Sequence, residues 1–121
     1  MTARVVPVRF NRTDALALWH DVTLERVKAT HQELSPRQLV ILTTVYLEEG
    51  PHTVRSLARK LGLTKSPVTR ALDRLEGERL IRRCADPSDK RSIVIERTAS
   101  GTLFLSHFAD QIRHMVKSRV A

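Results

Sequence analysis

Two short runs of this chain carry side chains suited to gripping a polyanion. The first is Thr64-Lys65-Ser66 with Thr69, Arg70, Asp73 and Arg74; the second is Asp89-Lys90-Arg91. On a 100°-per-residue wheel, Ser66, Thr69, Arg70, Asp73 and Arg74 fall on one side of a helix, and Val68, Ala71, Leu72 and Leu75 on the other. Hydroxyls and guanidinium groups on one outward face suit the base edges and phosphates of a duplex whose major groove admits one helix. Arg70 has the reach for bidentate pairing with guanine, and Thr69 for a base or a thymine methyl. Thr64, Lys65 and Ser66 stand where free backbone N–H groups and the helix dipole favour a phosphate. Asp73 is placed to orient Arg70 or Arg74 by an ion pair, or to accept from cytosine; the residue types leave these open. In the second run, Lys90 and Arg91 lie at or just after a hairpin tip. A narrow minor groove attracts an inserted Arg, and Asp89 is placed to aim Arg91.

No catalytic arrangement accompanies them. The sequence has no phosphate-binding loop, no Ser/His/Asp pattern and no carboxylate pair in an apolar setting, so an enzyme is not expected. His20, His31, His52, His107 and His114 form no His-x-x-x-His spacing; surface or interface positions are expected, with no metal and no cofactor. The single cysteine, Cys84, excludes an internal disulfide and reads as a small structural residue in a reduced cytoplasmic setting rather than a redox switch. The N-terminal residues contain no long apolar run, so neither a signal peptide nor a membrane span is expected. Cytoplasmic, nucleoid-associated localisation follows.

The elements that must hold these runs are legible in the apolar periodicity. The 121 residues suffice for one domain, here expected to span 1–121. Residues 1–11 read as irregular. A helix is expected over 12–31 through Ala15, Leu18, Trp19 and Val22. A second is expected from Ser35 as N-cap and Pro36 at its first position to about Glu49, stopped by Gly50-Pro51. Its apolar residues Leu39, Val40, Leu42, Val45, Tyr46 and Leu47 mark it as the central buried helix. A third, capped by Thr53, buries Val54, Leu57, Ala58 and Leu61. Gly62-Leu63-Thr64 turns into a fourth, over 64–79, with Pro67 in its first turn. That pair has helix-turn-helix spacing. Leu80–Cys84 and Ile93–Arg97 read as antiparallel strands around a polar turn, giving a wing over 85–92. A last helix runs from 98 toward 121 with Phe104, Leu105, Phe108, Ile112 and Met115 on one side, read as a dimerisation stripe. The fold class expected is mainly α with a small antiparallel β-wing: a winged helix-turn-helix core over 35–97 flanked by N- and C-terminal helices.

The charge follows the same map. The net charge is +8, yet residues 1–50 are neutral, while residues 51–97 hold 12 Lys/Arg against 6 Asp/Glu and residues 98–121 add +2. The excess sits where phosphates would be met. Aromatics are few, which argues against stacking on single strands.

Residues 35–101 resemble the DNA-binding core of the MarR (multiple antibiotic resistance regulator) family of bacterial transcription factors. The resemblance is carried by Leu34-Ser35-Pro36-Arg37-Gln38, by Leu57 to Arg70, by Leu72-Asp73-Arg74-Leu75, by Asp86-Pro87-Ser88-Asp89-Lys90-Arg91 and by Thr98-Ala99-Ser100-Gly101. It implies a homodimer on a pseudo-palindromic double-stranded operator, often a repressor, and in many members a small-molecule effector. Arg91 then matches the family's wing arginine and Asp89 its partner. The contact set expected is Thr53, Thr64, Lys65, Ser66, Thr69, Arg70, Arg74, Asp89, Lys90 and Arg91. The chain ends one helix short of the family pattern, so the helices over 12–31 and 98–121 are expected to make the dimer. Two other readings fit the same motif: a winged helix used for protein contact, and a nonspecific architectural DNA binder.

Overall fold

A computed structural model describes residues 10–29 and 33–120. Among them are five helices and one two-stranded antiparallel sheet: α1 (Arg12–Ala29), α2 (Pro36–Leu47), α3 (Val54–Leu61), α4 (Lys65–Gly77), β1 (Ile81–Asp86), β2 (Asp89–Arg97) and α5 (Ala99–Val120). The winged helix-turn-helix expected is therefore present. Residues 1–9, with most of the irregular N-terminal segment, and His31 lie outside the described residues. The described residues form two compact units, one from Leu34 to Ser106, the other from those up to Glu33 together with those from His107 onward.

Within the Leu34–Ser106 unit, the starts of α2 and α3 are set by local side-chain bonds. Ser35 Oγ accepts the Gln38 N–H (3.2 Å), and Gln38 Oε1 accepts the Ser35 N–H (2.9 Å), a reciprocal capping box with Pro36 in the first turn. Thr53 and Ser56 repeat it for α3, at 3.0 and 2.9 Å. Gly62 ends α3 at φ 67°, a left-handed conformation that glycine adopts without a Cβ penalty. The second helix stops at Leu47, two residues before the expected Glu49. Glu48 is already extended, leading to the Gly50–Pro51 bond, which is cis. The fourth helix likewise ends at Gly77 rather than 79. Arg79 takes the left-handed conformation (φ 60°), and the Leu80 N–H closes onto the Leu75 carbonyl (2.9 Å).

The core gathers Ile41, Leu42 and Val45 of α2, Leu57 of α3, Val68, Leu72 and Leu75 of α4, and Ile81 of β1. All four apolar residues expected to face inward from α4 do so. On α2 the inward face is rotated from the expected one. Ile41 and Thr44 are buried, whereas Val40 is exposed and Leu47 is 82% exposed, because a helix covered on one side cannot bury every apolar position it carries. Thr44 tolerates burial by donating to the Val40 carbonyl (2.7 Å). On α3, Val54 and Leu61 are half-buried at the rim of the core.

The strands run further than the Leu80–Cys84 and Ile93–Arg97 segments expected. Pairing continues to Asp86 and Asp89, with an irregularity after Ala85, so only Pro87 and Ser88 form the turn. Leu80 itself is buried just ahead of β1. His52 bridges to Ile95, whose N–H donates to the His52 carbonyl (2.8 Å), while His52 Nε2 lies 2.9 Å from the Glu48 carbonyl oxygen. His52 is thus buried, not superficial, as a third short rung against the wing.

One hydroxyl joins α2, the start of β1 and the start of α5. Tyr46 Oη lies 3.0 Å from the carbonyl oxygens of both Leu80 and Thr98 and accepts the Thr98 N–H at 3.0 Å. Thr98 Oγ1 donates to the Arg79 carbonyl (2.7 Å) and accepts the Gly101 N–H (2.9 Å), which caps α5. Arg97 Nε donates to the Val45 carbonyl (3.2 Å), with its guanidinium 5.6 Å from the Tyr46 ring centre. Gly101 is buried against this junction: a Cβ there would lie 1.9 Å from Tyr46 Oη and 2.2 Å from the Leu80 carbonyl oxygen. The Thr98-x-x-Gly101 pattern is explained by this close approach.

In the other unit, Val22 is buried on α1, Asp21 pairs with Arg119, and the Arg26 guanidinium lies 5.0 Å from the Phe108 ring centre. Asp21 is held below the usual carboxylate range, chiefly by its hydrogen bond with Arg119. Trp19, expected on the apolar face of α1, is 65% exposed.

Gly101→Ala should lower stability by about 1–3 kcal/mol, the usual cost of overpacking. Gly77→Ala, whose Cβ meets nothing within 4 Å, should raise it by about 0.5–1 kcal/mol through helix propensity. Urea denaturation of the two variants checks both signs.

Candidate nucleic-acid interface

All the predicted contact residues lie in the Leu34–Ser106 unit. Thr64 is the N-cap of α4, extended and exposed, and its side chain makes no capping bond. Lys65 and Ser66 follow, exposed, in the first turn, with Thr69 and Arg70 exposed one turn on. Arg74 is half-buried, and its Nε lies 3.3 Å from Glu78 Oε1. Thr53 differs from the rest: its hydroxyl accepts the Ser56 N–H as the α3 cap, so its first task is structural.

The wing tip is bonded locally at its turn and exposed at its end. Asp86 Oδ1 accepts both the Ser88 N–H (2.9 Å) and the Ser88 hydroxyl (2.8 Å), and these bonds hold its carboxyl below the usual range. Asp89 Oδ1 accepts the Arg91 N–H (3.1 Å) and lies 3.8 Å from Arg91 Nε, while Asp89 Oδ2 accepts from Ser92 Oγ (3.3 Å). Arg91 and Lys90 lie within β2 rather than in the turn, and the Arg91 side chain is 96% exposed.

A cleft of about 530 Å³ brings separate parts of the sequence together, lined by Thr53, Val54, Arg55, Lys65, Arg91, Ser92 and Ile93. The first turn of α3, the first turn of α4 and the wing thus meet around one basic hollow. Arg55, exposed on α3, is the cation of this hollow that lies outside the expected contact set. The signal was present: a cation one residue after an inward-facing Val54, in the first turn of the helix that Thr53 caps.

Asp73 turns to neither Arg70 nor Arg74, the partners considered from sequence. Its Oδ1 lies 2.7 Å from Arg83 Nη2, on β1. Glu76 completes the clasp: Oε1 accepts from Arg83 Nε (2.8 Å) and lies 2.7 Å from Nη2, and Oε2 accepts the Arg83 backbone N–H (3.1 Å). The Arg83 backbone N–H, then its guanidinium, hold the Glu76 carboxyl below the usual range; the Asp73 and Glu76 carboxylates hold the Arg83 guanidinium above its own. Neither Glu76 nor Arg83 was singled out from sequence, since their pairing depends on how the wing folds back.

Cys84, in β1, donates to Glu96 Oε1 (3.2 Å), which also accepts from Arg82 Nη2 (3.1 Å). The neighbouring carboxylate pushes the thiol pKa up, the opposite of a reactive thiolate. Of the stripe expected to dimerise, Phe104 and Leu105 are half-buried against the core of their unit. Phe108, Ile112 and Met115 belong to the other unit; there Ile112 is 40% exposed. Among the described residues no cluster of three or more His, Cys, Asp or Glu has metal-binding geometry, and no helix is long and apolar enough to cross a membrane.

The model of the MarR family matches residues 34–93. Over 48 residues the chain is 44% identical to YcgE of Bacillus subtilis (strain 168), an uncharacterized HTH-type transcriptional regulator; the match covers 40% of this chain and 31% of the relative. The chain thus spans about a third of the length of that curated relative. In fold it is similar to the S. aureus MepR–DNA complex (TM-score 0.75, 22% identity, 88% of this chain and 85% of that one). It is likewise similar to transcriptional regulator Tm0710 from Thermotoga maritima (TM-score 0.73, 24% identity, 88% and 72%).

The lowered Glu76 pKa has a testable sign. A carboxyl whose folded pKa is depressed stabilises the fold above its unfolded pKa and loses that contribution as pH falls through the folded one. Glu76→Gln should therefore be less stable than the parent near neutral pH, and the difference should narrow at a pH below the ordinary glutamate range. Urea titrations at the two pH values measure it.

Proposed function

This chain belongs to the MarR family through its residues 34–93, and on that premise we propose that it is a sequence-specific, double-stranded-DNA-binding transcriptional regulator. The observation that carries the reading is the basic hollow in which Arg55, Lys65 and Arg91 come from three different elements. Beside it, the outward face of α4 presents Ser66, Thr69 and Arg70. In this reading α4 enters the major groove with Thr69 and Arg70 against base edges. The first turn of α4 and Arg55 take phosphates, and the wing places Lys90 and Arg91 in the adjacent minor groove. Each phosphate neutralised releases counterions, so binding should weaken steeply with salt.

The proposal extends to a homodimer acting as a repressor in the bacterial cytoplasm, with the whole chain serving as one MarR-like domain. The exposed apolar residues of α1 and the Ile112 side of α5 support it, since apolar surface of this kind is found at protein–protein contacts. Two symmetric α4 helices would then read half-sites about one helical turn apart. A small-molecule effector is included as the signal that would change DNA affinity.

In vitro selection of bound duplexes, scored for specificity and half-site symmetry, tests the reading. A protein-interaction subunit would enrich nothing and bind its partner without regard to salt. An architectural binder would enrich no sequence over random DNA. Arg91→Ala should weaken binding to most duplexes by about 1–3 kcal/mol. Arg70→Ala should instead change which sequences are enriched; an unchanged profile removes Arg70 from base reading. Sedimentation of the purified protein should give twice the 13.8 kDa chain mass, and Ile112→Asp should shift it toward the monomer.

A further inference from the structure

The exposed face of α4 carries a conflict that its own sequence does not resolve. Arg70 and Asp73 are three residues apart, a spacing at which opposite charges on a helix meet. An Arg70 drawn onto Asp73 would be unable to serve a base edge, and Asp73 is 59% exposed, free to make that pair unless something else holds it.

What holds it comes from the wing. Arg83 Nη2 sits 2.7 Å from Asp73 Oδ1, and the Arg83 guanidinium is fixed in turn by Glu76 through Nε (2.8 Å) and Nη2 (2.7 Å). The Arg83 side chain is only 26% exposed, against 59% for that of Asp73, so it approaches from the protein side rather than from solvent. Arg70 forms no ion pair among the described residues. Arg74, the other cation within a turn of Asp73, lies against Glu78 instead.

We propose that Arg83 is a positioning residue for base recognition: by taking Asp73 as its partner, it leaves Arg70 uncommitted on the outward face of α4. This rests on the DNA-reading role proposed for Arg70. Arg83 touches no base or phosphate in this scheme; it acts through Asp73. Its second partner, Glu76, keeps the guanidinium in place and, through the bond from the Arg83 backbone N–H, ties α4 to β1 without needing the Arg83 side chain.

The test is a double-mutant cycle on the duplexes that wild-type protein enriches from a random pool, with thermal melting as a check on folding. Arg83→Gln should lower affinity about tenfold and blur preference at the same base positions as Arg70→Ala, the scale expected when one bidentate pair with a base is missing. Adding Asp73→Asn should return affinity and preference to near wild type, because nothing then competes for Arg70. Asp73→Asn alone, which does not disturb the Glu76 clasp, should bind as wild type does. The proposal is overturned if the Arg83→Gln variant binds with unchanged affinity and preference. It is also overturned if Asp73→Asn fails to restore a folded Arg83→Gln protein, since Arg83 would then touch DNA itself or act as a strut. Weakened preference in the single Asp73→Asn variant would overturn it by making Asp73 a base reader. The slope of affinity against salt gives an independent readout. If Arg83 met a phosphate itself, removing its charge would flatten the slope by about one counterion in the single and double variants alike. On the proposal, the double variant keeps the wild-type slope. A wild-type protein that enriches no duplex removes the DNA-reading role and the inference with it, an outcome distinct from failed rescue in a protein that does bind.

Discussion

The Leu34–Ser106 unit turns on the Tyr46 hydroxyl. It receives the Thr98 N–H and faces two carbonyl oxygens, those of Leu80 and Thr98, at 3.0 Å, so α2, the lead-in to β1 and the start of α5 are held to one atom. A half-buried hydroxyl with several partners is stable only while all stay in place, because each backbone group stripped of its partner costs about 1–3 kcal/mol. The geometry leaves no room for a side chain at position 101, which makes the last helix begin with a glycine in its first turn. Fixing both ends of the hairpin at one place fixes where its tip can go.

That constraint is what makes a joint surface of α3, α4 and the wing. The hairpin leaves α4 through the left-handed Arg79, whose carbonyl is taken by Thr98, and returns to the same threonine through Arg97. Between those anchors, the Glu76–Arg83 clasp and the His52–Ile95 rung hold the two strands of the hairpin to α4 and to the loop before α3. Arg55, Lys65 and Arg91 are distant in sequence, yet they line one hollow because these ties hold the hairpin against α4 and the lead-in to α3.

The local parts of this arrangement were legible in the residues. Ser35-Pro36-Arg37-Gln38 states its capping box within four positions, and the inward face of α4 follows from spacing alone, since both depend on neighbours one turn away. The turn at Gly62 was readable for the same reason. What could not be read depends on contacts across the fold. The expected inward face of α2 included Val40 and Leu47 because their apolarity says nothing of where α4 and β2 will pack. Tyr46 looked like one more apolar residue, although its hydroxyl partners are 34 and 52 residues away. The spacing sets Asp73 against its helix neighbours, whereas its actual partner arrives with the wing. The expected strands stop short of the hairpin tip because polar pairs there resemble turn residues.

The exposure of Arg91 gives the wing a long reach into solvent. With its side chain 96% exposed, its backbone N–H anchored to Asp89 and its Nε 3.8 Å from the same carboxylate, the guanidinium stands in solvent on a fixed root. Toward a polyanionic partner such an arm is captured before the surfaces dock, since attraction between exposed charges reaches about 8–10 Å at physiological salt. Ordering it then costs side-chain entropy that the short hydroxyl side chains on α4, Ser66 and Thr69, do not have to give up. On the DNA-binding reading proposed above, a division would follow between an element that sets how often encounters succeed and one that sets which encounters last.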